Sequence, residues 1–374
     1  MTLHVSDTFD SGNITCLSAD DPADIHLEIR KDNNSDFYQW FHFRLTGAKG
    51  TACVLKIMNA GGAAYTKGWE GYRAVASTDR ENWVRVPTTY ENGVLTISHT
   101  PAADSVWFAY FAPFSMERHA DLVARCQQAD GVSLEVLGQT LDGQAMDLLR
   151  VGEGPKNFWA VARQHPGESM AEWWMEGFLA RLLDTGDRAA RALRKEITFY
   201  IVPNMNPDGS RRGHLRTNAC GANLNREWSE PAMDRSPEVY LVRERMRATG
   251  VDFCLDVHGD EALPYNFIAG MMGIPSLTET QKALQQTFSD ALLAASPDFQ
   301  TKYGYPDAQP GKGNMTLCSN WVAEEFGCMA ATLEMPFKDN ADRPDETFGW
   351  SPARCRAFGA THLDAMAAVL KAMG

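Results

Sequence analysis

The chain has 374 residues, which is too long for one ordinary hydrophobic core and predicts two domains. Its contents of 44% hydrophobic and 22% charged residues are typical of a soluble globular protein and exclude a disordered or collagen-like chain. The net charge of −13 argues against nucleic acid or an anionic membrane as the main partner.

Neither a signal peptide nor a membrane span is evident in the sequence. Residues 1–19 are polar and carry Asp7 and Asp10, and no apolar run approaches the about 18 residues that a span needs. The 8 cysteines are scattered without a Cys-x-x-Cys pair, which favours reduced thiols over a disulfide framework. We therefore expect a cytoplasmic protein that is not bound to a membrane.

Residues 1–114 are predicted to form an antiparallel β-sandwich domain. Residues 37–45 alternate with period two, which places Phe37, Phe41, Phe43 and Leu45 on one face of a strand. Turn signals such as Asn92-Gly93 separate further short strands, a spacing that is typical of sandwiches. These strands are predicted at 53–58, 94–99 and 106–111. The region gathers no His, Cys or carboxylate cluster, so we interpret it as a packing or recognition module.

Residues 115–374 are predicted to form an α/β/α domain, in which helices cover both faces of a mixed sheet. Segments 134–136 and 146–151 flank a turn at Leu141-Asp142-Gly143 and indicate a hairpin. Strand patterns then alternate with helical ones, ending in a helix at 352–373. The strands are predicted at 158–163, 197–202, 251–257 and 329–334.

A strand-to-helix turn carries the first pair of candidate metal ligands, His165 and Glu168. It lies between the strand at 158–163 and a helical pattern at 169–183. Pro166 keeps His165 extended, and the Pro-Gly pair delays helix entry until about Glu168. The imidazole and the carboxylate can then share one divalent metal, and zinc suits this pair of ligands. Alone the pair is weak evidence, since one His-x-x-Glu is expected by chance among 9 histidines.

The buried strand at 251–257 leads directly into His258, where an open α/β sheet places its chemistry. A third ligand there completes the set of three protein ligands that catalytic zinc uses. Asp256 is either a partner that orients a ligand or an ordinary acid at the edge of the core.

Glu334 ends an apolar strand that Pro336 stops. A carboxylate in so apolar a setting is costly unless it has a partner or a task. The simpler interpretation is a capped or salt-bridged acid. The functional one is a general base that takes a proton from the water at the metal.

A polar loop follows the strand at 197–202 and carries Arg216 and Arg226. Both arginines flank a region that should face the metal, and a fixed guanidinium can clamp a carboxylate or stabilise an oxyanion. We expect Arg211 and Arg212, in contrast, to be solvated.

The order of these motifs resembles the zinc metallocarboxypeptidase family and, more narrowly, its cytosolic carboxypeptidase subgroup. The residues that carry the resemblance to the family are His165, Glu168, Asn206-Pro207-Asp208-Gly209, Arg216, Asn225-Arg226, His258 and Glu334. The phrases at 164–169 and 224–226 and the β-rich leader ending at 108–115 are similar to the subgroup's own signatures.

The resemblance implies one zinc ion per chain, held by His165, Glu168 and His258. It also implies that Glu334 is the general base and the proton shuttle to the leaving amine, and that Arg216 polarises the scissile carbonyl. The resemblance also implies that the substrate is the C-terminus of a peptide or protein. Asn225 and Arg226 would bind its free carboxylate, and either Tyr303 or Tyr305 would be a mobile tyrosine of the pocket.

One departure from the family pattern and two alternative functions accompany this interpretation. Family members that remove glutamate carry an arginine upstream of the catalytic glutamate. In this chain the corresponding residues 312–320 contain no arginine, and their one basic side chain is Lys312, a flexible point charge. An aspartoacylase-like or desuccinylase-like zinc deacylase of N-acyl amino acids would share the His-x-x-Glu…His set but lacks this β-rich leader. A non-catalytic protein that binds peptide termini would not need Glu334. The oligomeric state is left open.

Overall fold

The computed structural model describes residues 3–374, and its first ten strands form two five-stranded sheets in the N-terminal part of that range. One sheet has the order β1-β4-β10-β6-β7 and the other β2-β3-β5-β9-β8. All their pairings are antiparallel except that of β3 with β5. The strands are β1 His4–Ser6, β2 Thr15–Ser18, β3 Ile25–Glu28, β4 His42–Thr46, β5 Cys53–Ile57, β6 Val75–Ser77, β7 Val84–Arg85, β8 Thr88–Glu91, β9 Val94–His99 and β10 Ser105–Ala109.

The inward side chains of these two sheets form an aromatic and aliphatic core. Phe43 and Leu45 of β4 are fully buried, and the ring of His99 in β9 lies 5.7 Å from that of Phe108 in β10, edge to face across the sheets. The antiparallel N-terminal sheet domain predicted from alternation is thereby confirmed, with one parallel pair as an exception.

The strand predicted at 37–45 is too long, because β4 begins only at His42. Residues 38–41 are all buried, so this segment has no solvent face and cannot continue the alternation. Side-chain hydrogen bonds to distant carbonyl groups hold this segment in place instead. Trp40 Nε1 donates to the carbonyl of Ser11, and Gln39 Nε2 donates to that of Tyr65. Phe37, predicted on the same face as Phe43, is only partly buried.

The remaining strands form one seven-stranded mixed sheet of order β11-β12-β14-β13-β15-β17-β16. Strands β14, β13, β15 and β17 are parallel, and β11, β12 and β16 run antiparallel to their neighbours. The strands are β11 Val132–Gln139, β12 Ala145–Val151, β13 Lys156–Ala162, β14 Ile197–Val202, β15 Phe253–Asp260, β16 Phe267–Gly270 and β17 Met329–Pro336. The predicted hairpin and mixed sheet are confirmed.

Helices cover this sheet, since every residue of β15 and of β17 is buried. The helices are α1 Met116–Cys126, α2 Met170–Leu182, α3 Arg188–Glu196, α4 Pro207–Arg212, α5 Pro237–Thr249, α6 Glu279–Ala295, α7 Cys318–Phe326 and α8 Pro352–Ala372. Helices α2 and α8 can approach closely because Gly177 has no side chain. A Cβ there would lie 2.0 Å from the carbonyl oxygen of Arg356. Of the helices in residues 3–374, none combines the length and the apolar character needed to cross a bilayer.

The parallel strands β13, β15 and β17 end at one edge of the sheet, and this edge carries the site. Register places His258 opposite Glu334 across β15 and β17. The predicted strand ends at 257 and 334 fall short by two or three residues, because pairing continues to Asp260 and Pro336. The division into domains at 114 and 115 stays a prediction; helix α1 begins directly after it, capped by the Ser115 side chain.

Candidate metal centre and active-site cavity

His165, Glu168 and His258 form a compact buried cluster at the end of β13 and β15. The Nδ1 atom of His165 lies 2.7 Å from Oε1 of Glu168, and Nδ1 of His258 lies 2.8 Å from Oε2 of Glu168. The two Nδ1 atoms are 3.2 Å apart. Around a tetrahedral zinc, ligand atoms stand about 3.3 Å from one another. The three side chains are therefore already spaced as ligands of one cation.

Hydrogen bonds on the far side of each imidazole direct both Nδ1 atoms at this point. Nε2 of His165 lies 3.0 Å from Oδ1 of Asn223, and Nε2 of His258 lies 2.9 Å from Oδ2 of Asp256. Because these oxygens accept the Nε2 protons, the Nδ1 lone pairs are left for a metal. Two convergent nitrogen donors and a carboxylate are a donor set that suits zinc. Asp256, whose role the sequence left open, orients His258.

A buried chain of partners holds Asp256 in turn. Nε2 of Gln164 donates to Oδ2 of Asp256 over 2.7 Å, and Oε1 of Gln164 accepts from the indole of Trp228 at 2.8 Å. Gln164 is thus part of the same network as its neighbour His165. Such outer partners fix ring orientation and add to metal affinity.

The protonation states of the cluster follow from burial and mutual charge. Burial, helped by the charge of Arg216, lowers the pKa of His165 to about 4. Burial works to raise the pKa of Glu168, but the two histidines outweigh it and hold it below its usual range. Burial works to lower the pKa of His258, yet Asp256 and Glu168 raise it well above its usual value. Cation binding would therefore release a proton from His258.

Arg163 holds the turn that carries the first two ligands, a role that the sequence did not reveal. It is fully buried and has a positive φ of 60°, a conformation that non-glycine residues rarely adopt. Its Nε donates to the carbonyl of Pro166 at 2.9 Å and its Nη1 to that of Phe114 at 2.7 Å. Nη1 also forms a buried ion pair with Glu172. Local backbone strain here is offset by a buried charge network.

The Asn206-Pro207-Asp208-Gly209 motif fixes the other side of this turn. The Asn206 side chain caps α4 by accepting from the Gly209 amide at 3.0 Å, and its Nδ2 donates to the carbonyl of Gln164 at 3.0 Å. Asp208 accepts from the Thr140 hydroxyl at 2.6 Å. The motif therefore helps to position the turn that carries His165 and Glu168.

A cavity of about 310 Å³ opens above the ligand cluster. Its walls come from both parts of the chain. They include the predicted site residues His165, Glu168, Arg216, Asn225, Arg226, Tyr305 and Glu334, together with Tyr65, Asp260, Glu261, Ser319, Asn320 and Thr332. Tyr303 and Lys312 are not part of the wall.

Glu334 presents an unpaired carboxylate oxygen near the cluster. Its Oε2 is buried without a hydrogen-bond partner among residues 3–374, and its Oε1 lies 3.5 Å from the hydroxyl of Tyr305. Burial raises the pKa of Glu334 well above its usual value, with neighbouring acids adding to the effect and His258 opposing it. A dication bound beside it would lower that pKa. An ionised, unsatisfied carboxylate in this place is equipped to accept a proton.

Arg216, Asn225 and Arg226 line the same cavity. The Arg216 guanidinium lies 5.4 Å from the ring centroid of Phe37 and 5.5 Å from that of Tyr65. Asn225 is held by the Cys318 amide, which donates to its Oδ1 over 2.9 Å. Burial, with the charge of Arg216 adding to it, lowers the pKa of the Arg226 guanidinium. Two cations that face one cavity form a receptor for anionic groups.

The structure separates the two candidate tyrosines. The Tyr305 hydroxyl lies in the cavity and donates to Asp260. Tyr303 stacks instead on Tyr265, with centroids 4.4 Å apart, and lies outside the cavity.

Three residues were not predicted from the sequence: Tyr65 and Glu261, which line the cavity, and Asp32, which accepts a hydrogen bond from the Arg216 amide. Tyr65 and Asp32 belong to the N-terminal sheet domain, far from the other site residues along the chain. Glu261 lies three positions after His258, and this spacing is the only local signal that could have drawn attention to it. Burial raises the pKa of Glu261 well above its usual value.

Two family models match the chain. That of the cytosolic carboxypeptidase N-terminal domain matches residues 5–111, and that of zinc carboxypeptidase matches residues 120–354. The chain therefore belongs to the zinc carboxypeptidase family, which makes it a metallocarboxypeptidase, a hydrolase of peptide bonds. The family membership predicted from the motifs, and the cytosolic carboxypeptidase type of its N-terminal domain, are confirmed.

Three relatives show how far the likeness extends. A metallo-carboxypeptidase from Burkholderia cenocepacia is 49% identical, covers 100% of both chains and has a TM-score of 0.96. One from Pseudomonas aeruginosa, solved in complex with (2-guanidinoethylmercapto)succinic acid, is 44% identical over 99% of this chain and 100% of its own, with a TM-score of 0.97. Cytosolic carboxypeptidase 6 of Caenorhabditis elegans is 25% identical over 88% of this chain and 78% of its own length. The predicted fold is confirmed by these likenesses.

Proposed function

We propose that the protein removes the last residue of peptides or proteins with a free C-terminus, using one zinc ion held by His165, Glu168 and His258. When bound, zinc supplies Lewis-acid activation of water and of the scissile carbonyl. The observation that carries the proposal is the convergence of Glu334 and two arginines on the cavity that contains the ligand cluster.

Glu334 acts as the general base in this proposal. Its Oε2, which is buried and has no partner, accepts a proton from the attacking water. The same oxygen then donates that proton to the amine that leaves. The Arg216 guanidinium, whose Nε is likewise buried without a partner, donates to the oxygen that becomes negative during attack.

Asn225 and Arg226 bind the terminal carboxylate, which makes the enzyme an exopeptidase. A guanidinium and an amide side by side offer several N–H donors to two carboxylate oxygens. The succinic acid part of the ligand in the Pseudomonas relative offers carboxylates of this kind.

The side chain of the last residue would contact Ser319, Asn320 and Thr332, which are neutral and polar. Residues 312–320 carry no arginine, and Lys312 does not line the cavity. We therefore propose that this enzyme has no preference for a terminal glutamate or aspartate.

The cytoplasmic location inferred from the sequence remains part of the proposal. All 8 cysteines are unpaired, and six of them are buried, as expected in a reducing compartment.

The test combines zinc analysis with a panel of peptides whose last residue is acidic, basic or apolar. We expect about one zinc per chain, release of the last residue from free C-termini only, and no gain in kcat/KM for acidic ends. Glu334→Gln should retain zinc and lose at least about 10²-fold in kcat. Glu230→Gln, at an exposed acid, is the matched control and should retain wild-type turnover.

The outcomes separate the alternatives. Equal cleavage of amidated peptides would refute the roles of Asn225 and Arg226. Turnover of N-acetyl amino acids, with peptides left intact, would favour a deacylase. Zinc near zero, with peptides left intact, would leave a protein that binds peptide ends without cleaving them. Full turnover in Glu334→Gln would refute the role of Glu334 as general base.

A further inference from the structure

We infer that Asp32, in the N-terminal sheet domain, is a positioning residue that holds the loop with Arg216 at its working distance from the metal ligands. The inference rests on the proposed role of Arg216. It assigns to the N-terminal domain a part of the active site, because Asp32 and the two rings beside the Arg216 guanidinium all come from that domain.

The Asp32 carboxylate accepts four hydrogen bonds from three consecutive residues of the loop. Oδ1 accepts from the Leu215 amide at 2.7 Å, and Oδ2 accepts from the Arg216 amide at 2.8 Å. Oδ2 also accepts from the amide and the hydroxyl of Thr217 at 2.9 and 3.1 Å. Asp32 is 2% exposed. Both carboxylate oxygens therefore serve as acceptors for this loop.

The loop depends on this carboxylate because its amides have no hydrogen-bond acceptors from a sheet or a helix at this point. Residues 215–217 belong to neither a strand nor a helix. Each buried amide left without an acceptor would cost about 1–3 kcal/mol. Asp32 satisfies three adjacent amides at once, and thereby fixes the main chain on which the Arg216 side chain stands.

The same short segment is tied directly to the metal turn. The carbonyl of Leu215 accepts from the Gly167 amide at 2.9 Å, between the two ligands His165 and Glu168. A Cβ at Gly167 would lie 2.9 Å from that carbonyl oxygen, so the two chains are in close contact. Asp32, the Arg216 loop and the metal turn therefore form one continuous hydrogen-bonded chain.

Two aromatic rings restrict the guanidinium once its main chain is fixed. Phe37 and Tyr65 lie at cation–π distance from Arg216, and their own ring centroids are 6.5 Å apart. Among residues 3–374, the Nε of the Arg216 guanidinium is buried and has no hydrogen-bond partner. The rings hold the guanidinium without neutralising it, so its charge is available to a substrate oxygen.

The experiment is a comparison of Asp32→Asn with Asn33→Ala in the full-length zinc enzyme. Asparagine replaces an acceptor oxygen by an NH₂ donor, which opposes the loop amides. We expect kcat to fall by about 10²-fold, as for a misplacement of about 1 Å, with KM and zinc content unchanged. Asn33→Ala removes the bond from Nδ2 to the Ala219 carbonyl, between the same two segments but away from Arg216, and should leave kcat within about twofold.

A double variant shows whether Asp32 acts through Arg216. In an Arg216→Ala background, Asp32→Asn should cause no further loss of kcat, because the group it positions is absent. Equal losses in both backgrounds, or full turnover of a folded, zinc-loaded Asp32→Asn variant, would overturn the inference. Full turnover of Arg216→Ala itself would instead refute the proposed role of Arg216.

Phe37→Leu tests the inference if Asp32→Asn fails to fold. Phe37 is only partly buried, so leucine should be tolerated. Loss of one flanking ring should lower kcat about threefold without a change in KM or zinc content. Wild-type kcat in this variant would contradict the role of the N-terminal domain in holding Arg216.

Discussion

The metal cluster and the Arg216 loop are held in place by different parts of the chain. His165 follows β13 and His258 lies in β15, which pairs with β13 in parallel register. Asn223 orients His165, and Asp256 of the same strand orients His258. The loop that carries Arg216 has no ladder of its own and is fixed by Asp32 from the N-terminal domain. The side chains that orient the two histidines thus come from residues 115–374, whereas the loop of the proposed oxyanion group is hydrogen-bonded to Asp32 of the N-terminal sheets.

The difference has a physical origin in where backbone hydrogen bonds are satisfied. Strand residues find acceptors in their neighbours, so side chains at strand ends are fixed by the sheet itself. Loop residues must find acceptors elsewhere, and a buried carboxylate is one of the few groups able to serve several amides at once.

The comparison predicts that His258→Ala and Arg216→Ala fail in different ways. His258→Ala should lose bound zinc and, with it, all measurable turnover. Arg216→Ala should keep zinc and lose about 10²–10³-fold in kcat, the range for removal of one oxyanion donor. Arg211→Ala, at an exposed arginine of α4, which precedes this loop, is the control. Metal analysis beside peptidase kinetics checks this, and loss of zinc from Arg216→Ala would contradict the separation.

Arg163→Met should test how strongly the metal turn is held from within. The change removes the bonds to Pro166 and Phe114 and the ion pair with the buried Glu172, which keeps only His119 as a cationic partner. We expect a loss of about 3–5 kcal/mol in the free energy of unfolding, measured by denaturant titration. Arg188→Met, at an exposed arginine, should change it by no more than about 0.5 kcal/mol. A small loss in Arg163→Met would show that the ion pair is dispensable.

His119 should make the stability of the same network depend on pH. Burial works to lower the pKa of His119, but hydrogen bonds to Asp147 and Glu172 raise it to about 9. The folded protein thus keeps a proton that the unfolded chain releases near pH 6.5. Stability from this residue is full below about pH 6.5 and is lost as pH rises to about 9, by at most about 3 kcal/mol. Unfolding measured across this range should show a steeper decline in the wild type than in His119→Gln, and equal slopes would contradict the assignment.

The two tyrosines should give the smallest effects. Tyr305→Phe removes the hydroxyl that lies near Asp260 and Glu334, and should lower kcat/KM about tenfold, the value of one hydrogen bond to a charged group. Tyr303→Phe, at the ring stacked on Tyr265, should stay within about twofold. Steady-state kinetics on one peptide decides, and a larger effect at Tyr303 would reverse the assignment.

Elements with a strong hydrophobic period were predictable along most of their length. The strand at 197–202 and the helix at 169–183 match β14 and α2 to within one residue at each end. The strand at 37–45 was wrong in its first half, because Tyr38, Gln39 and Trp40 are buried by contacts with distant segments. Hydrophobic alternation with a period of two indicates a strand with one buried face. The prediction therefore fails for a segment that is buried on both sides.

By itself, the sequence determined the chemistry of the site: two histidines and a glutamate as ligands, a carboxylate at a strand end and a pair of loop arginines. These could be recognised because strand ends and tight turns leave local patterns in the chain. Only the tertiary structure decided that Tyr65 lines the cavity with them and that Asp32 binds the loop of Arg216. It also decided that Arg163 holds the metal turn and that Tyr305, not Tyr303, lines the cavity. The hydrogen bond between Asp32 and Leu215, which are 183 positions apart, depends on how the two parts of the chain pack, and no local pattern records that.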